Sequence, residues 1–132
     1  MSLFDLVSRE VAELPDGVEK SYRFAGVEVW SKALKAPVAV KGPVPFQDYD
    51  GIDLELTNPR TGMKEMVKGI RFLVTEEDGQ KVDKPLNVVS KRLIAQLQYD
   101  LENGQFTRIL YRITAVGAPP KTTYHVKREN QA

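Results

Sequence analysis

The chain has 132 residues, of which 42% are hydrophobic and 28% charged, with 19 Lys and Arg against 18 Asp and Glu. This length and composition predict a single domain over residues 1–132 and exclude extended disorder. The chain has no cysteine, which excludes disulfides, thiolate metal sites and a cysteine nucleophile. It has no apolar run near the roughly 20 residues of a membrane helix, and we expect no membrane partner.

The first part of the chain is predicted to form a helix, an extended segment and a loop. Residues 1–14 repeat apolar side chains at helical spacing, and Pro15-Asp16-Gly17 ends this N-terminal helix. Residues 18–34 are extended, with Ala25-Gly26 allowing either one bent strand or a hairpin. Residues 36–50 carry three prolines, which favours a long surface loop.

The middle of the chain is predicted to form two strands. Residues 51–57 alternate apolar and polar side chains, as a strand with one buried face does. A turn over residues 58–62 precedes a second extended pattern over residues 63–75. Residues 76–84 are polar and rich in turn-forming side chains.

The last third of the chain contains the clearest helix. Ser90 is a good N-cap, an apolar stripe follows at helical spacing, and Asn103-Gly104 supplies the left-handed exit. Residues 105–116 and 122–128 are predicted strands, and residues 129–132 a flexible tail.

This order of elements predicts a β-rich α+β fold. Five strands with a helix between the third and fourth is the order of an OB-like five-stranded barrel, here with one inserted helix and an extra N-terminal helix. Its ligand surface would use strands two and three with two loops, residues 36–50 and 117–121. The alternative splits residues 18–34 into a hairpin and gives a six-stranded antiparallel sheet packed on two helices.

The strand predicted over residues 105–116 has a basic and aromatic face. Its period of two places Arg108 and Arg112 on the same face as Phe106. This face suits single-stranded nucleic acid, because guanidinium groups pair with phosphates and rings stack on unpaired bases. The alternative interpretation is a solvated face whose arginine stems cover apolar surface.

Rings elsewhere in the chain offer further stacking surfaces. Trp30 is the only tryptophan and is out of phase with the valines beside it, so it should point away from the core. The predicted loop adds Lys41, Phe46 and Tyr49. Two aspartates beside Tyr49 would repel phosphate, and loop rings commonly pack onto their own domain.

Charge is unevenly distributed along the chain. Residues 81–132 contain nine Lys and Arg against four Asp and Glu, a balance of +5, and the remainder is at −4. This polarity favours an anionic partner for the C-terminal part, to which Lys121, Tyr124 and Lys127 contribute. A basic end is also commonly a solubilising sheet edge.

No catalytic or metal site is predicted. His125 is the only histidine, so a transition-metal site would have to be rich in carboxylates. No Gly-x-Ser-x-Gly motif is present, and the acids between Asp48 and Glu55 lack the pattern of a calcium loop. We therefore expect no catalytic residue, no metal and no cofactor.

Three segments carry a resemblance to a known class of proteins. Residues 86–94, the run Tyr111-Arg112-Ile113-Thr114 with Gly117, and Thr123-Tyr124-His125-Val126 resemble the C-terminal part of small single-stranded-DNA-binding and replication-accessory proteins of phages, plasmids and archaea. The resemblance implies a compact β-rich domain that coats unpaired DNA without a metal or catalytic residue. It departs at Ala118-Pro119-Pro120, where those proteins tend to have a charged, glycine-rich turn.

Together these observations predict a non-enzymatic module that binds single-stranded nucleic acid, and DNA is expected rather than RNA. The expected location is the cytoplasm or, for a viral protein, the host cytoplasm. The expected phosphate contacts are Arg108, Arg112, Lys121, Lys127 and Lys41. The expected stacking rings are Trp30, Phe46, Tyr49 and Tyr124. The alternative is a viral structural, assembly or protein-interaction domain that forms a homo-oligomer through the N-terminal helix or a free sheet edge.

Overall fold

A computed structural model describes residues 11–58, 60–117 and 121–130. Within them lie eight strands, one α-helix and one short 3-10 helix. The strands are β1 (Glu19–Ser31), β2 (Ala36–Val40), β3 (Tyr49–Asp50), β4 (Ile52–Thr57), β5 (Lys64–Glu77), β6 (Gln80–Val88), β7 (Ile109–Val116) and β8 (Thr123–Asn130). The helix α1 spans Lys91–Asn103, and the 3-10 helix Gln105–Arg108 follows it.

The strands form one antiparallel sheet around β1. Strand β5 pairs along one edge of β1, whereas β7 and then β2 pair along the opposite edge. Strand β6 extends the sheet beyond β5, and β8 extends it beyond β7. Strand β4 pairs with the first half of β5, and β3 pairs with the end of β1. Because β6 and β8 do not pair within the described residues, the sheet is open.

Strand β1 is a single bent strand, which resolves the choice that the sequence leaves open. Its register against β5 shifts on both sides of Phe24, as a β-bulge requires. Gly26 follows this irregularity, and a Cβ there would lie 2.8 Å from the carbonyl oxygen of Val40. Glycine therefore allows β2 to pack closely against the bend.

Helix α1 begins and ends as the sequence predicts. The Ser90 hydroxyl accepts a hydrogen bond from the backbone N–H of Leu93, and Gly104 ends the helix with φ of 81°. The apolar stripe of the helix packs on the inner face of the sheet. Large side chains buried in this shared core are Tyr22, Phe24, Phe72, Leu93, Leu97, Leu101, Phe106 and Tyr111.

Residues 36–50, predicted as a loop, begin with strand β2. Pro37 is tolerated because, among the described strands, β2 pairs only with β1 and is therefore an edge strand. The rest of the segment is fixed to the helix, since Val44 is fully buried and its N–H donates to the carbonyl of Leu101 at 2.8 Å.

The polar segment over residues 76–84 is a β-hairpin and not a loop. Asp78 and Gly79 both have positive φ, at 51° and 85°, as the tight turn between two strands requires. The charged side chains pair across the sheet, with Lys84 Nζ 2.7 Å from the Glu77 carboxylate. Polar composition therefore conceals strand β6, where the charge of Lys84 is neutralised by Glu77 of β5.

Three other boundaries also differ from the prediction. Residues 105–108 form the 3-10 helix, which turns the ring of Phe106 into the core before β7 begins. Strand β8 continues through Asn130, into residues predicted to form a flexible tail. The predicted N-terminal helix lies mostly outside the described residues, and its described end is extended, with Ala12 forming a bridge to Leu86.

Candidate nucleic-acid interface

Two adjoining clefts lie where β1 ends and α1 begins. The first, called the ring cleft, has a volume of about 190 Å³ and is lined by Phe46, Tyr49, Asp50, Lys68 and Lys91 together with apolar side chains of the core. The second, called the tryptophan cleft, is lined by Trp30, Asp50, Gly51, Asp53 and Lys68. The two clefts share Asp50, Gly51 and Lys68 in their linings, so they lie next to each other.

The loop before β3 holds the two rings of the ring cleft against α1. The backbone N–H of Phe46 donates to the Glu102 carboxylate at 3.4 Å, and Gln98 donates to the same oxygen at 3.0 Å. Tyr49 pairs with Ser31 at the end of β1. Both rings are half-buried and pack against the hydrophobic core, so each presents only part of its surface to the cleft.

Trp30 projects from the outer face of β1 and is 36% exposed. Its neighbours on either side, Val29 and Ser31, point into the protein and are buried. Pro37 and Asp50 are its cross-strand partners. The indole therefore forms one wall of the tryptophan cleft, on the side of the sheet away from the core.

Two glycines bring the backbones together between the clefts. A Cβ at Gly51 would lie 3.0 Å from the backbone nitrogen of Gly69, and a Cβ at Gly69 would overlap the carbonyl oxygen of Val88. The backbone of β5 at Gly69 can therefore lie directly against Gly51, between β3 and β4. This close approach places Lys68 beside both Trp30 and Tyr49.

Lys68 and Lys91 line the clefts but are not among the predicted phosphate contacts. Lys68 Nζ lies 2.9 Å from a carboxylate oxygen of Asp53, so part of its charge is neutralised. Lys91 is exposed and has no ion-pair partner within the described ranges. A glycine inside a strand often marks the close approach of another backbone. Gly69 is therefore the residue from which the sequence could have indicated the position of Lys68.

Two predicted phosphate contacts are engaged with carboxylates. Arg112 and Lys127 are cross-strand neighbours on β7 and β8. The Arg112 guanidinium lies 2.7 Å from Glu129 and 3.8 Å from Glu19, and Lys127 lies 3.6 Å from Glu19. The hydrogen bond from Arg112 lowers the pKa of Glu129, so this carboxylate stays charged and competes with phosphate.

The other predicted residues lie apart from the clefts. Lys41 and Arg108 are exposed beside the edge of β1 that faces away from β5, and within the described residues neither has an ion-pair partner. Lys121 is exposed after the end of β7, which lies beside the start of β1. Tyr124 is half-buried against the core, and its carbonyl accepts a hydrogen bond from Gln96. The nine predicted residues thus do not form one patch.

Arg128, in the basic C-terminal segment, has a structural role. Its Nε donates to the buried Asp100 carboxylate at 2.7 Å, and its guanidinium also donates to the carbonyl of Gln96. The Tyr111 hydroxyl donates to the same carboxylate at 2.8 Å. Burial, followed by this hydrogen bond, raises the pKa of Tyr111 well above its usual range.

Within the described residues, no three His, Asp or Glu side chains lie close enough to hold a metal ion. Over the same residues, no helix has the length and apolar character needed to cross a membrane.

Comparison of the chain with known proteins gave no match to a family model, to a curated protein or to a solved structure.

Proposed function

We propose that this chain is a non-enzymatic module that binds single-stranded nucleic acid at the ring and tryptophan clefts. DNA is the nucleic acid we propose, in preference to RNA. The observation that carries the proposal is the presence of rings and lysines in two adjoining clefts, with Phe46, Tyr49 and Lys91 in the ring cleft, Trp30 in the tryptophan cleft and Lys68 in both. Rings give unpaired bases a stacking surface, and lysines attract the phosphates between them.

The connectivity of the sheet supports the proposal. Strand β5 pairs with both β1 and β6, β7 pairs with both β1 and β8, and a helix follows β6, an arrangement compatible with an OB-like fold. Residues 32–63 then form an enlarged connection between the first and second strands of that fold. OB folds bind oligonucleotides with strands two and three and with two loops, and the clefts here contain residues of the first of these loops and of the strand that follows it.

The size and charge of the clefts define the mode of binding. About 190 Å³ is small for a ligand pocket, so the ring cleft suits one planar base rather than several. Lys68 and Lys91 are the two cations of the clefts, and each phosphate neutralised on single-stranded DNA contributes about −0.7 to the salt slope. We therefore expect a shallow slope, roughly −1 to −2, for log K against log salt.

Fluorescence anisotropy of labelled oligo-dT tests the proposal. Trp30→Ala should weaken binding about tenfold, because stacking on one ring contributes about 1–3 kcal/mol per base. The matched control is Tyr99→Ala, which removes a ring that is 77% exposed on α1 and lines neither cleft. Equal affinities of the two variants, or no binding of single-stranded DNA of any base at low salt, would reject the proposal.

A cation series in the same assay tests the electrostatic part. Lys91→Ala should make the salt slope shallower by about 0.7. Lys81→Ala removes an exposed lysine from β6, outside both clefts, and should leave the slope unchanged. If the two variants changed the slope equally, the phosphates would be attracted by net charge and not by the clefts.

Self-assembly is a second candidate function, favoured by the hairpin formed by β4 and β5. Met63 and Met66 are exposed on this hairpin, and β4 pairs with β5 alone among the described strands. A second copy of the chain would cover these side chains. Light scattering should then report an oligomer whose mass falls on replacing both methionines with lysine, and a monomer at all concentrations would exclude it.

A further inference from the structure

Asp50 is a carboxylate that lines both clefts of the proposed interface. It ends β3 opposite Trp30. Its only ion pair among the described residues is a loose one with Lys32, at 3.8 Å, and its side chain is 61% exposed. Asp53, the other carboxylate that lines the clefts, has its Oδ1 2.9 Å from Lys68 Nζ. Asp50 thus keeps free acceptor sites.

A carboxylate in this place favours one part of a nucleotide over another. It accepts hydrogen bonds and donates none, so it repels phosphate oxygens and base carbonyls and attracts amino groups. The backbone should therefore lie toward Lys68 and Lys91, and the edge of the base should face Asp50. Flipped bases in single strands are recognised by hydrogen bonds at this Watson–Crick edge.

Cytosine and thymine differ at this edge. Cytosine carries an exocyclic amino group, N4, which donates to Asp and Glu carboxylates in protein–DNA complexes. Thymine has a carbonyl, O4, at the same position, and a carboxylate would repel it. The two pyrimidines have rings of the same size, so the stacking surfaces of the clefts accept both.

We propose that Asp50 is a specificity residue that selects bases carrying an amino group, and so favours cytosine over thymine. The inference rests on the proposed binding of single-stranded DNA at the clefts. It adds a base preference that stacking and lysine contacts alone would not produce, because both act on every base.

The test compares labelled oligo-dC and oligo-dT of equal length at neutral pH with the full chain. Wild type should bind oligo-dC at least about fivefold more tightly, since a good base-edge contact discriminates by about 1–3 kcal/mol. Asp50→Asn should bring the affinity ratio close to one, mainly by strengthening the binding of oligo-dT. An amide both donates and accepts, so it no longer rejects the O4 carbonyl.

The matched control is Glu55→Gln, which removes one carboxylate from β4 at a position that lines neither cleft. It changes the net charge by the same amount and should leave the ratio of the two affinities as in wild type. Asp50 is exposed and on a short strand, so its variant should retain the thermal unfolding midpoint of wild type.

The possible failures are distinguishable. Binding of neither oligonucleotide would reject the proposed function itself. Equal binding of both by wild type, tighter binding of oligo-dT, or an unchanged ratio in Asp50→Asn would reject the role of Asp50 and leave the binding function standing.

Discussion

At the residue scale, two glycines in different surroundings test the packing beneath the clefts. A Cβ at Gly69 would overlap the Val88 carbonyl oxygen and lie 2.9 Å from a methyl group of Leu54. Gly69→Ala should therefore lower the free energy of unfolding by about 2–3 kcal/mol, as overpacking of a filled site does. Urea unfolding followed by circular dichroism gives the value.

The control for this substitution is Gly42→Ala. No atom lies within 4 Å of a Cβ built at Gly42, and its backbone does not require positive φ. Its free energy of unfolding should stay within about 0.5 kcal/mol of wild type. If the two alanine variants were equally stable, Gly69 of β5 would not lie as close to Val88 and Leu54 as the structure shows.

At the element scale, the last strand is fastened to the helix by one buried carboxylate. Asp100 on α1 accepts hydrogen bonds from Tyr111 on β7 and from Arg128 on β8. Asp100→Ala should cost about 2–3 kcal/mol, below the usual loss for a fully buried pair because part of the Arg128 side chain reaches solvent. Thermal and urea unfolding measure the loss.

A second pair on the same strand supplies the comparison. Glu129 contacts Arg112 at 2.7 Å, but both side chains are solvent-exposed. Glu129→Ala should leave the unfolding midpoint nearly unchanged, because solvent screens such pairs. A loss as large as that of Asp100→Ala would mean that the outer face of β7 and β8, and not the helix contact, fixes the strand.

These elements also show which features a single sequence can predict. Helix α1 was predictable because its cap, apolar stripe and left-handed exit are local features within residues 90–104. Strand β6 was not, since polar side chains also occur in turns, and the pairing of β6 with β5, including that of Lys84 with Glu77, forms only in the folded chain. Trp30 and Phe46 could be predicted as stacking rings from their residue type. The position of Lys68 beside both clefts depends on tertiary packing, which the sequence does not show.

At the scale of the whole molecule, stability is linked to pH through groups at the end opposite the clefts. Partial burial alone would raise the pKa of Glu77, but the hydrogen bond from Lys84 and the charges of Lys84 and Lys20 hold it below its ordinary value of 4.5. Hydrogen bonds from Lys20 and from the backbone of Ser21 likewise lower the pKa of Asp78.

Two buried phenols set the alkaline limit. Burial raises the pKa of Tyr22 above its ordinary value of 10.0, and nearby acids such as Glu77 raise it further. The pKa of Tyr111 is raised by burial and by its hydrogen bond to Asp100. The folded state therefore keeps both phenols protonated at pH values where the unfolded chain ionises them, so stability declines as pH rises above about 10.

At low pH, stability depends on groups whose pKa is lowered by folding and not raised. Groups whose pKa is lowered by folding contribute stability that is complete above their ordinary values, 4.5 for Glu77 and 3.8 for Asp78, and is lost as pH falls through the folded values. Glu77→Gln should therefore be less stable than wild type at pH 7, and this difference should shrink toward zero in strong acid. Thermal unfolding between pH 2 and pH 8 measures the difference, with the exposed Glu65→Gln as a control that tracks wild type. A constant gap between Glu77→Gln and wild type across that range would show that Glu77 stabilises the fold by packing, because only an interaction of the charged carboxylate disappears on protonation.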